Sequence, residues 1–315
     1  MQKKLVLGIS SCLLGERVRF DGGHKRDTYL CDLLANYVDF LPICPEVEIG
    51  LGIPRPAIQL RGDPLNPRLV EVKNHQKEYS EPMRQFSLQS MSRFEKVSGY
   101  ILKSKSPSCG LKRVKVYQEN GRGPLVGKGL FARILEAHYP NLPIEEEGRL
   151  NDPLLRENFI ERIFVYQEWQ DLVHSTLTPQ KLVDFHTRHK LTLLAHSPVC
   201  YKRLGQGISQ LKESRLPELS QWYIHALMSG LILIATPKKH ANVLQHCLGY
   251  FKKILNPKDK QELLLAIDQY RCGLLPLIVP ITLLKHHLMH HPEPYLTAQS
   301  YLAPYPEELM LRNHI

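Results

Sequence analysis

The sequence predicts an α/β protein in two parts, an N-terminal domain built on a parallel sheet and an all-α C-terminal domain. In the first half, short apolar segments alternate with helical segments, which is the pattern of a parallel sheet covered by helices. In the second half no strand pattern is evident. Its segments have helical patterns, several of which begin with proline or acidic residues. The first domain is therefore expected to be Rossmann-like.

The elements of the first half follow from the positions of apolar residues and turn formers. We predict strands at residues 5–9, 38–43 and 99–103, and helices at residues 28–37, 81–97 and 127–137. Ser80 suits the N-cap of the long amphipathic helix, and Pro82 suits its first turn. Because strands and helices alternate, we expect the strands to be parallel.

A change in composition near Asn141 separates the two parts. Pro143, three successive glutamates at residues 145–147, Gly148 and Pro153 indicate a boundary. We predict a first domain at residues 1–145, a linker at 146–178 with a helix over 158–173, and an all-helical accessory domain at 179–315. Its helices are expected at residues 179–195, 198–208, 216–234, 240–254, 257–271 and 276–289, with irregular coil from Pro292.

Charge and cysteine content limit the classes of function. The formal net charge of +10 favours polyanionic partners. No apolar run reaches the roughly 18 residues of a membrane span. Seven cysteines in 315 residues do not form the dense pattern of a secreted disulfide scaffold. We therefore expect a cytoplasmic protein with reduced thiols and without a membrane partner.

The N-terminus resembles, in part, a lipoprotein signal that ends at Cys12. Two lysines and a short apolar segment precede this cysteine. Leu13, Leu14 and Gly15 then continue an apolar fold, where a lipoprotein would have a polar tether. We therefore prefer a first β-strand for this segment.

Three cysteines of the first half follow three predicted strands. Cys12, Cys44 and Cys109 each lie beyond the carboxyl end of one strand. Ligands of open parallel sheets bind beyond these strand ends, so the three thiols are expected to share one crevice and to hold a metal. Zinc and an iron–sulfur cluster both remain open from the residues alone. Cys31 lies on an apolar helical face and is expected in the core.

Two of these cysteines have reactive groups beside them. Cys44-Pro45-Glu46 holds a carboxylate close to a thiol, and Ser106-Pro107-Ser108-Cys109-Gly110 supplies hydroxyls and free backbone N–H groups. Glu46 is a candidate general acid and base. The alternatives are a structural role for Glu46, as a cap or in an ion pair with Arg55, and a turn-forming role for Ser106.

Together, four motifs in residues 4–140 resemble the thiouracil desulfidase (TudS) family. These are Ser11-Cys12-Leu13-Leu14-Gly15, Val18-Arg19-Phe20-Asp21-Gly22, Cys44-Pro45-Glu46 and Ser106-Pro107-Ser108-Cys109-Gly110. Phe20 departs from the pattern, because the family is expected to have tyrosine there.

The resemblance implies a [4Fe-4S] cluster with three cysteine ligands and one open iron, on Cys12, Cys44 and Cys109. It also implies catalytic roles for Glu46 and Ser106, which match the family by position. The implied reaction is non-redox removal of sulfur from a thiolated pyrimidine. Candidate substrate contacts within the motifs are Ser11, Asp21 and Gly22.

The second half resembles the helical domain that is often fused behind this family, as in the tRNA 4-thiouridine desulfidase type (RudS). The signature is residues 185–190, residues 195–198, Tyr201 and residues 204–205. The implied partner is tRNA containing 4-thiouridine, and no protein partner is evident. Candidate RNA contacts are Arg188, His189, Lys190, Tyr201, Lys202 and Arg203.

Two other functions remain open. The first is the same chemistry on free thiouracil or a thiouridine nucleotide, which would be salvage. The second is a non-catalytic, metal-containing RNA-binding protein, which a fourth thiolate ligand would favour. Cys200, Cys247 and Cys272 lie on helical patterns that look buried. The histidine-rich residues 286–291 suit either a metal site or a helix C-terminus.

Overall fold

The structure is a computed structural model that describes residues 4–118, 120, 124–210 and 213–315. The chain divides into two compact units, Met1–Asn151 and Asp152–Ile315. Within the described ranges, no helix has the length and apolar character needed to cross a membrane. The first three residues, on which the lipoprotein alternative partly depends, lie outside the described residues.

The described part of the first unit contains two β-sheets and three α-helices. Its strands are β1 (Leu5–Ser10), β2 (Val38–Ile43), β3 (Ile58–Asp63), β4 (Asn66–Glu71), β5 (Val97–Leu102), β6 (Val114–Tyr117), β7 (Leu125–Gly127) and β8 (Ile144–Glu146). Its α-helices are α1 (Pro45–Glu48), α2 (Ser80–Ser90) and α3 (Leu130–His138).

The first sheet is parallel, as the sequence predicts. Its strand order is β2-β1-β5-β8, and all three neighbouring pairs run in the same direction. Every residue of the central strand β5 is buried. Gly8 of β1 faces the ring of Tyr100, and a Cβ at Gly8 would lie 2.2 Å from the Tyr100 Cδ2 atom. Glycine at this position therefore lets the aromatic ring pack directly against the neighbouring strand.

The second sheet is mixed and was not predicted. Its strand order is β4-β3-β6-β7, with β3 antiparallel to β4 and parallel to β6, and with β6 antiparallel to β7. Strand β6 shows the alternation of a half-buried strand, because Val114 and Val116 are buried and their neighbours are exposed. The start of β3 reaches the cavity described below.

Two predicted helices of the first unit differ from the structure. Residues 28–37 form a π-helical turn, Tyr29–Leu33, followed by a 3₁₀ turn, Leu34–Asn36. The helix predicted at residues 81–97 ends at Ser90, because a 3₁₀ turn follows and β5 begins at Val97. The Ser80 prediction is also wrong. Tyr79 is the N-cap, and the buried Ser80 Oγ instead accepts a hydrogen bond from the Leu69 amide at 2.8 Å.

The second unit is helical over its described length, as predicted. Its α-helices are α4 (Pro153–His174), α5 (Pro179–His196), α6 (Pro198–Ser209), α7 (Leu216–Leu231), α8 (Pro237–Tyr250), α9 (Pro257–Arg271), α10 (Ile278–His290) and α11 (Pro294–Thr297). The helix predicted at residues 158–173 therefore begins one and a half turns earlier and is counted in this unit.

The starts of five of these helices follow from local sequence. A capping residue precedes a proline at the first helical position of α4, α5, α6, α8 and α9. In each helix the cap side chain accepts a hydrogen bond from a backbone amide of the first turn; the caps are Asp152, Thr178, Ser197, Thr236 and Asn256. Such a cap stabilises a helix by about 1 kcal/mol.

The segment after Pro292 is more ordered than the coil that was predicted. It contains α11 and three 3₁₀ turns, and Tyr301 is fully buried. Arg312, near the chain end, is also buried, and its guanidinium forms ion pairs with Glu157 and Glu161 of α4. Tyr305 donates a hydrogen bond to Glu157 at 2.9 Å. The C-terminal segment therefore closes the core of the second unit through a buried ionic network.

His196 is the titratable member of this network. Its Nε2 lies 2.6 Å from a Glu161 carboxylate oxygen, and its Nδ1 lies 2.5 Å from the Leu233 carbonyl oxygen. Both partners are acceptors, so both ring nitrogens carry protons and the ring is an imidazolium. Burial lowers the pKa of His196, but the Glu161 charge and hydrogen bonds from the ring outweigh it, and the pKa is raised. The other charged or titratable groups around it are Glu157, Arg312, Lys239 and His240.

We therefore expect the second unit to lose stability as the pH rises through the raised pKa of His196. The contribution is fully present below the unfolded pKa of about 6.5 and declines above the folded pKa. His196→Gln should lower the free energy of unfolding by about 3 kcal/mol near pH 6 and less at higher pH. Urea denaturation of both proteins across pH would test this. A pH-independent difference between them would contradict it.

Candidate active site

A cavity of about 360 Å³ lies at the carboxyl ends of β1, β2 and β5. All five residues with predicted chemistry line it: Cys12, Cys44, Cys109, Glu46 and Ser106. The structure thus brings together groups that are up to about a hundred residues apart in sequence. This is the position in which ligands bind to open parallel sheets.

The three cysteines reach the cavity from three different strand ends. Cys12 lies in the 3₁₀ turn after β1, Cys44 directly follows β2, and Cys109 ends the loop after β5. Cys12 and Cys109 are buried, and Cys44 is partly buried. Cys31 is partly buried elsewhere, with its thiol 3.5 Å from the Leu13 carbonyl oxygen. It is not one of the residues that line the cavity.

Burial makes these thiols poor acids while no cation is bound. It raises the pKa of Cys12 to about 11 and also raises the pKa values of Cys44 and Cys109. The charge of Cys44 raises the pKa values of both Cys12 and Cys109 further. In the described residues, no group of three or more His, Cys, Asp or Glu side chains is arranged to hold a metal ion. The cysteines of a cluster bind different iron atoms, so their sulfurs are farther apart than ligands of one ion.

Glu46 lies in the first turn of α1, two residues after Cys44, and Arg55 fixes its carboxylate. The Arg55 Nε and Nη2 atoms both donate to Glu46 Oε2, at 3.1 and 2.6 Å. The Arg55 side chain is only 2% exposed, and its Nη1 donates to the Gly52 carbonyl. This ion pair occupies one carboxylate oxygen. The other, Oε1, is directed at residues 104–109, which we call the serine loop.

Two serines bind that second oxygen. The Ser108 hydroxyl donates to Glu46 Oε1 at 2.7 Å, and the Ser106 hydroxyl lies 3.3 Å from the same atom. The two hydroxyl oxygens are 2.9 Å apart, and the Ser106 Oγ accepts from the Cys109 amide at 3.1 Å. The sequence singled out Ser106 but not Ser108. The motif that contains both was visible, but only the loop geometry shows which hydroxyl is nearer to Glu46.

The serine loop is held on the N-terminus of α3. The amides of Leu130 and Ala132 donate to the carbonyls of Pro107 and Ser108. These are N–H groups that a helix start leaves without helical partners. Gly129 makes the approach possible, because a Cβ there would lie 2.4 Å from the Ser108 carbonyl oxygen.

The glutamates at residues 145–147, predicted as part of a domain boundary, instead support the site. Glu146 ends β8 and accepts from the amides of Leu111 and Lys112, at 2.8 and 3.0 Å. Glu147 forms an ion pair with Lys103 and accepts from the Ser104 amide at 2.7 Å. Both segments flank the serine loop. In a sequence, three successive acidic residues are typical of a solvent-exposed surface. Only the folded structure shows that two of them bind backbone amides and a lysine.

Positive charges surround the rest of the cavity. Arg19, Lys25, Lys103 and Lys105 line it together with Arg55. Ser11 also lines it, as predicted for a substrate contact. Asp21 and Gly22 are not among the lining residues; the Asp21 carboxylate accepts from the Gly23 amide and lies 3.7 Å from Arg19. The structure thus brings Ser11 to the cavity but leaves Asp21 and Gly22 beside it.

Two family models match the chain, one in each of the two structural units. A model of the 2-thiouracil desulfurase family matches residues 7–147, which contain the cavity. The first unit is therefore similar to this family over most of its length. A second model, for a family of unknown function (DUF1722), matches residues 190–306.

Two individual proteins are similar to parts of the chain. The uncharacterized protein YbgA of Escherichia coli K12 is 34% identical over 155 residues, which are 48% of this chain and 90% of YbgA. At that coverage the chain and YbgA belong to one family. Among solved structures, a [4Fe-4S]-dependent thiouracil desulfidase, TudS, is 28% identical. The match covers 47% of this chain and 94% of that one, with a TM-score of 0.36.

In the helical unit, the predicted RNA contacts differ in exposure. His189 is 1% exposed, and its ring nitrogens lie 2.9 Å from the Ser300 hydroxyl and 3.1 Å from Glu168. This placement argues against a direct RNA contact for His189. Arg188 is more exposed but pairs with Glu168. Lys190 and Tyr201 are partly buried, and Lys202 and Arg203 are exposed.

The helical unit also contains three cysteines and a histidine-rich segment that were candidate metal ligands. Cys247 is buried and Cys200 partly buried, whereas Cys272 is exposed, contrary to expectation. The rings of His286 and His290 have centroids 4.7 Å apart on the last turns of α10. Within the described residues, no group of three potential metal ligands includes them.

Proposed function

We propose that the protein is a [4Fe-4S]-dependent desulfidase that converts 4-thiouridine in tRNA to uridine and hydrosulfide. One observation carries the proposal. In a desulfurase-family domain, a fixed carboxylate with two bound hydroxyls shares a cavity with three cysteines. A structural metal site gives no reason for a carboxylate to be held by Arg55 and turned toward two serines.

The donor set suits an iron–sulfur cluster. Cys12, Cys44 and Cys109 provide three soft thiolates on buried backbone turns, and soft ligands select iron–sulfur clusters over hard cations. Nearby Lys103 and Arg19 offset the negative charge of the thiolates. When bound, the cluster supplies a Lewis-acidic iron without a protein ligand, which polarises a thiocarbonyl sulfur.

The substrate ring has an apolar floor to pack against. Val18, Phe20, Ile43, Ala57 and Ile58 also line the cavity. An apolar surface with a few convergent polar groups is the usual form of a small-molecule site. Phe20 stands where the family is expected to have tyrosine, and an aromatic ring is retained.

Glu46 moves the protons of the reaction. Water adds to the ring carbon that carries sulfur, the C–S bond breaks, and the carbonyl of uridine forms, with no electron transferred. Glu46 takes a proton from the water at Oε1 and returns it to the departing sulfur, and the second proton of that water passes to solvent as the carbonyl forms. Arg55 keeps Oε2 occupied, so proton transfer takes place at the oxygen that faces the serines. Ser106 and Ser108 hold that oxygen and can pass a proton along their 2.9 Å hydroxyl contact.

The assignment to tRNA has support of a different kind. The chain carries a net charge of +10, the cavity is lined by cations, and a separate helical unit follows the desulfurase domain. A polyanion that contacts several cations gains affinity from counterion release. All seven cysteines are free, and we propose a reducing, cytoplasmic setting for the reaction.

We expect sulfur removal to be at least tenfold more efficient, in kcat/KM, on thiolated tRNA than on the free nucleoside or base, on the order expected for several phosphate contacts. Anaerobic assays would follow the near-ultraviolet absorbance of the thiocarbonyl and the hydrosulfide released. Turnover of tRNA should also fall steeply with salt, whereas turnover of free thiouracil should not.

The same assay separates the two other functions. Equal or better turnover of the free base or nucleotide, without salt dependence, would show that the protein is a salvage enzyme. Binding of tRNA by the cluster-loaded protein without any release of hydrosulfide would show that it is a non-catalytic RNA-binding protein.

A further inference from the structure

A second cavity, of about 310 Å³, lies on the surface formed by α6 and α7 of the helical unit. Its α6 side contains Gly207 and Gln210, and its α7 side contains Leu219 and Trp222. Arg215, the residue before α7, also lines it. We call this surface the Trp222 pocket. The residues that line it have no role in the proposed sulfur-removal reaction.

Trp222 is fixed in place by α6. A Cβ at Gly207 would lie 2.6 Å from the Cη2 and Cζ3 atoms of the indole, so the ring edge rests directly on the helix backbone. The Arg203 guanidinium, one helical turn before Gly207, lies over the indole ring, 5.4 Å from its centroid, and so leaves the opposite face of the ring for a ligand. The indole is partly buried, and the pocket opens beside it. A rigid ring costs little conformational entropy when it binds a flat ligand.

The charge around the indole favours a polyanion. Lys202, Arg203 and Arg215 are exposed, and Glu218 is the one acidic residue that lines the pocket within the described part of the chain. None of the ion pairs between side chains that the structure describes includes Arg203 or Arg215. Their guanidiniums therefore remain available to phosphate oxygens, which arginine binds through two N–H groups at once.

We propose that the Trp222 pocket is an RNA contact in which an unpaired base stacks on the indole while Arg203 and Arg215 bind the flanking phosphates. Aromatic rings beside arginines are the common means of holding single-stranded or looped RNA. The proposal rests on the proposed tRNA substrate and names the surface of the helical unit that holds it. It replaces His189, whose ring is buried, with Trp222 as the stacking residue.

Tryptophan fluorescence gives a direct test with the cluster-loaded, full-length protein. The chain has two tryptophans, and Trp169 is buried, with its ring 5.7 Å from that of Tyr223. In a Trp169→Phe variant, Trp222 is the only reporter. Titration with tRNA should quench its emission in step with binding. Saturable binding without a change in emission would overturn the proposal.

Affinity for a fluorescein-labelled tRNA provides the second measurement. Trp222→Leu should weaken binding about thirtyfold, the middle of the range for one lost base stack. Arg203→Gln should weaken it and reduce the salt slope by about one. The control is Lys258→Gln, which removes an exposed charge at the start of α9 in the same unit and should leave affinity within about twofold.

The outcomes separate this proposal from the proposed function. If wild-type protein releases hydrosulfide from thiolated tRNA while the Trp222 and Arg203 variants bind like Lys258→Gln, the pocket is not an RNA contact. If tRNA quenches Trp222 and both variants lose affinity, the contact is established, even in the case that no hydrosulfide is released and the desulfidase function fails. Arg203 is exposed, so its variant remains informative if Trp222→Leu does not fold.

Discussion

Replacing Glu46 by glutamine should lower kcat by about 10²–10⁴-fold while the cysteine-bound cofactor is retained. The amide keeps the size of the side chain; its oxygen can accept from Arg55, whose contact with Glu46 is 2.6 Å, and its NH₂ group can donate to the Ser108 hydroxyl, which lies 2.7 Å from Glu46. It cannot take up a proton from water. The loss therefore measures proton transfer rather than the shape of the cavity.

The measurement is kcat on a thiolated substrate, with the visible absorbance of the same sample as the record of cluster content. Glu48→Gln is the matched control, because Glu48 lies on the same short helix, is exposed, and is directed toward Arg93. We expect that control to retain wild-type kcat. A Glu46→Gln protein that turns over within tenfold of wild type would show that another group carries the proton.

The parallel sheet and its cysteines were predictable because two independent patterns agree. Strands β1, β2 and β5 are short apolar segments, and each is followed by a cysteine beyond its carboxyl end. Topology then requires these ends to meet on one edge of the sheet. The second sheet was not predictable in the same way, since β3 and β4 contain Gly62, Pro67 and several charged residues.

The residues that position the catalytic groups were harder to predict from the sequence than the groups themselves. The ion pair of Glu46 with Arg55 was considered only as an alternative to catalysis, and the structure contains it; Arg55 lies in a loop rich in glycine and proline, so the pair depends on how that loop returns to the cavity. Glu146 ends a strand of three residues, too short to give a period, and Glu147 directly follows that strand. Such residues act by satisfying loop amides and a lysine, which is a property of the folded loop rather than of a sequence pattern.

Helix positions in the second unit were predicted well because their signals are local. Proline and a capping side chain begin five helices; the predicted starts of α5, α6 and α9 were correct, whereas those of α4 and α8 were placed five and three residues too late. Exposure is not local, however. His189 shares its helix face with Phe185, whose ring centroid is 4.4 Å away, and therefore lies in the core. A histidine between basic residues suggested a surface contact, but the packing of the helix buries it.

The largest loss is expected when any one of the three cavity cysteines is replaced by alanine. Two thiolates cannot hold a cluster that needs three, so the visible absorbance of Cys12→Ala, Cys44→Ala or Cys109→Ala should fall to the level of the apoprotein after anaerobic reconstitution. Turnover should fall below detection in all three. Cys31→Ala is the matched control, because Cys31 belongs to the same unit but does not line the cavity.

This experiment also distinguishes a lost ligand from a lost fold. Each alanine removes one sulfur atom from a buried turn, and the backbone contacts of those turns remain, among them the Lys25 amide to the Cys12 carbonyl at 2.8 Å and the Gly110 amide to the Ser106 carbonyl at 2.8 Å. The cluster-free variants should therefore unfold as cooperatively as cluster-free wild type. Full iron content in any one variant would remove that cysteine from the ligand set. Full iron content in all three variants would exclude the cavity as the cluster site. Glu46 would then act on a substrate that no cluster in this cavity holds.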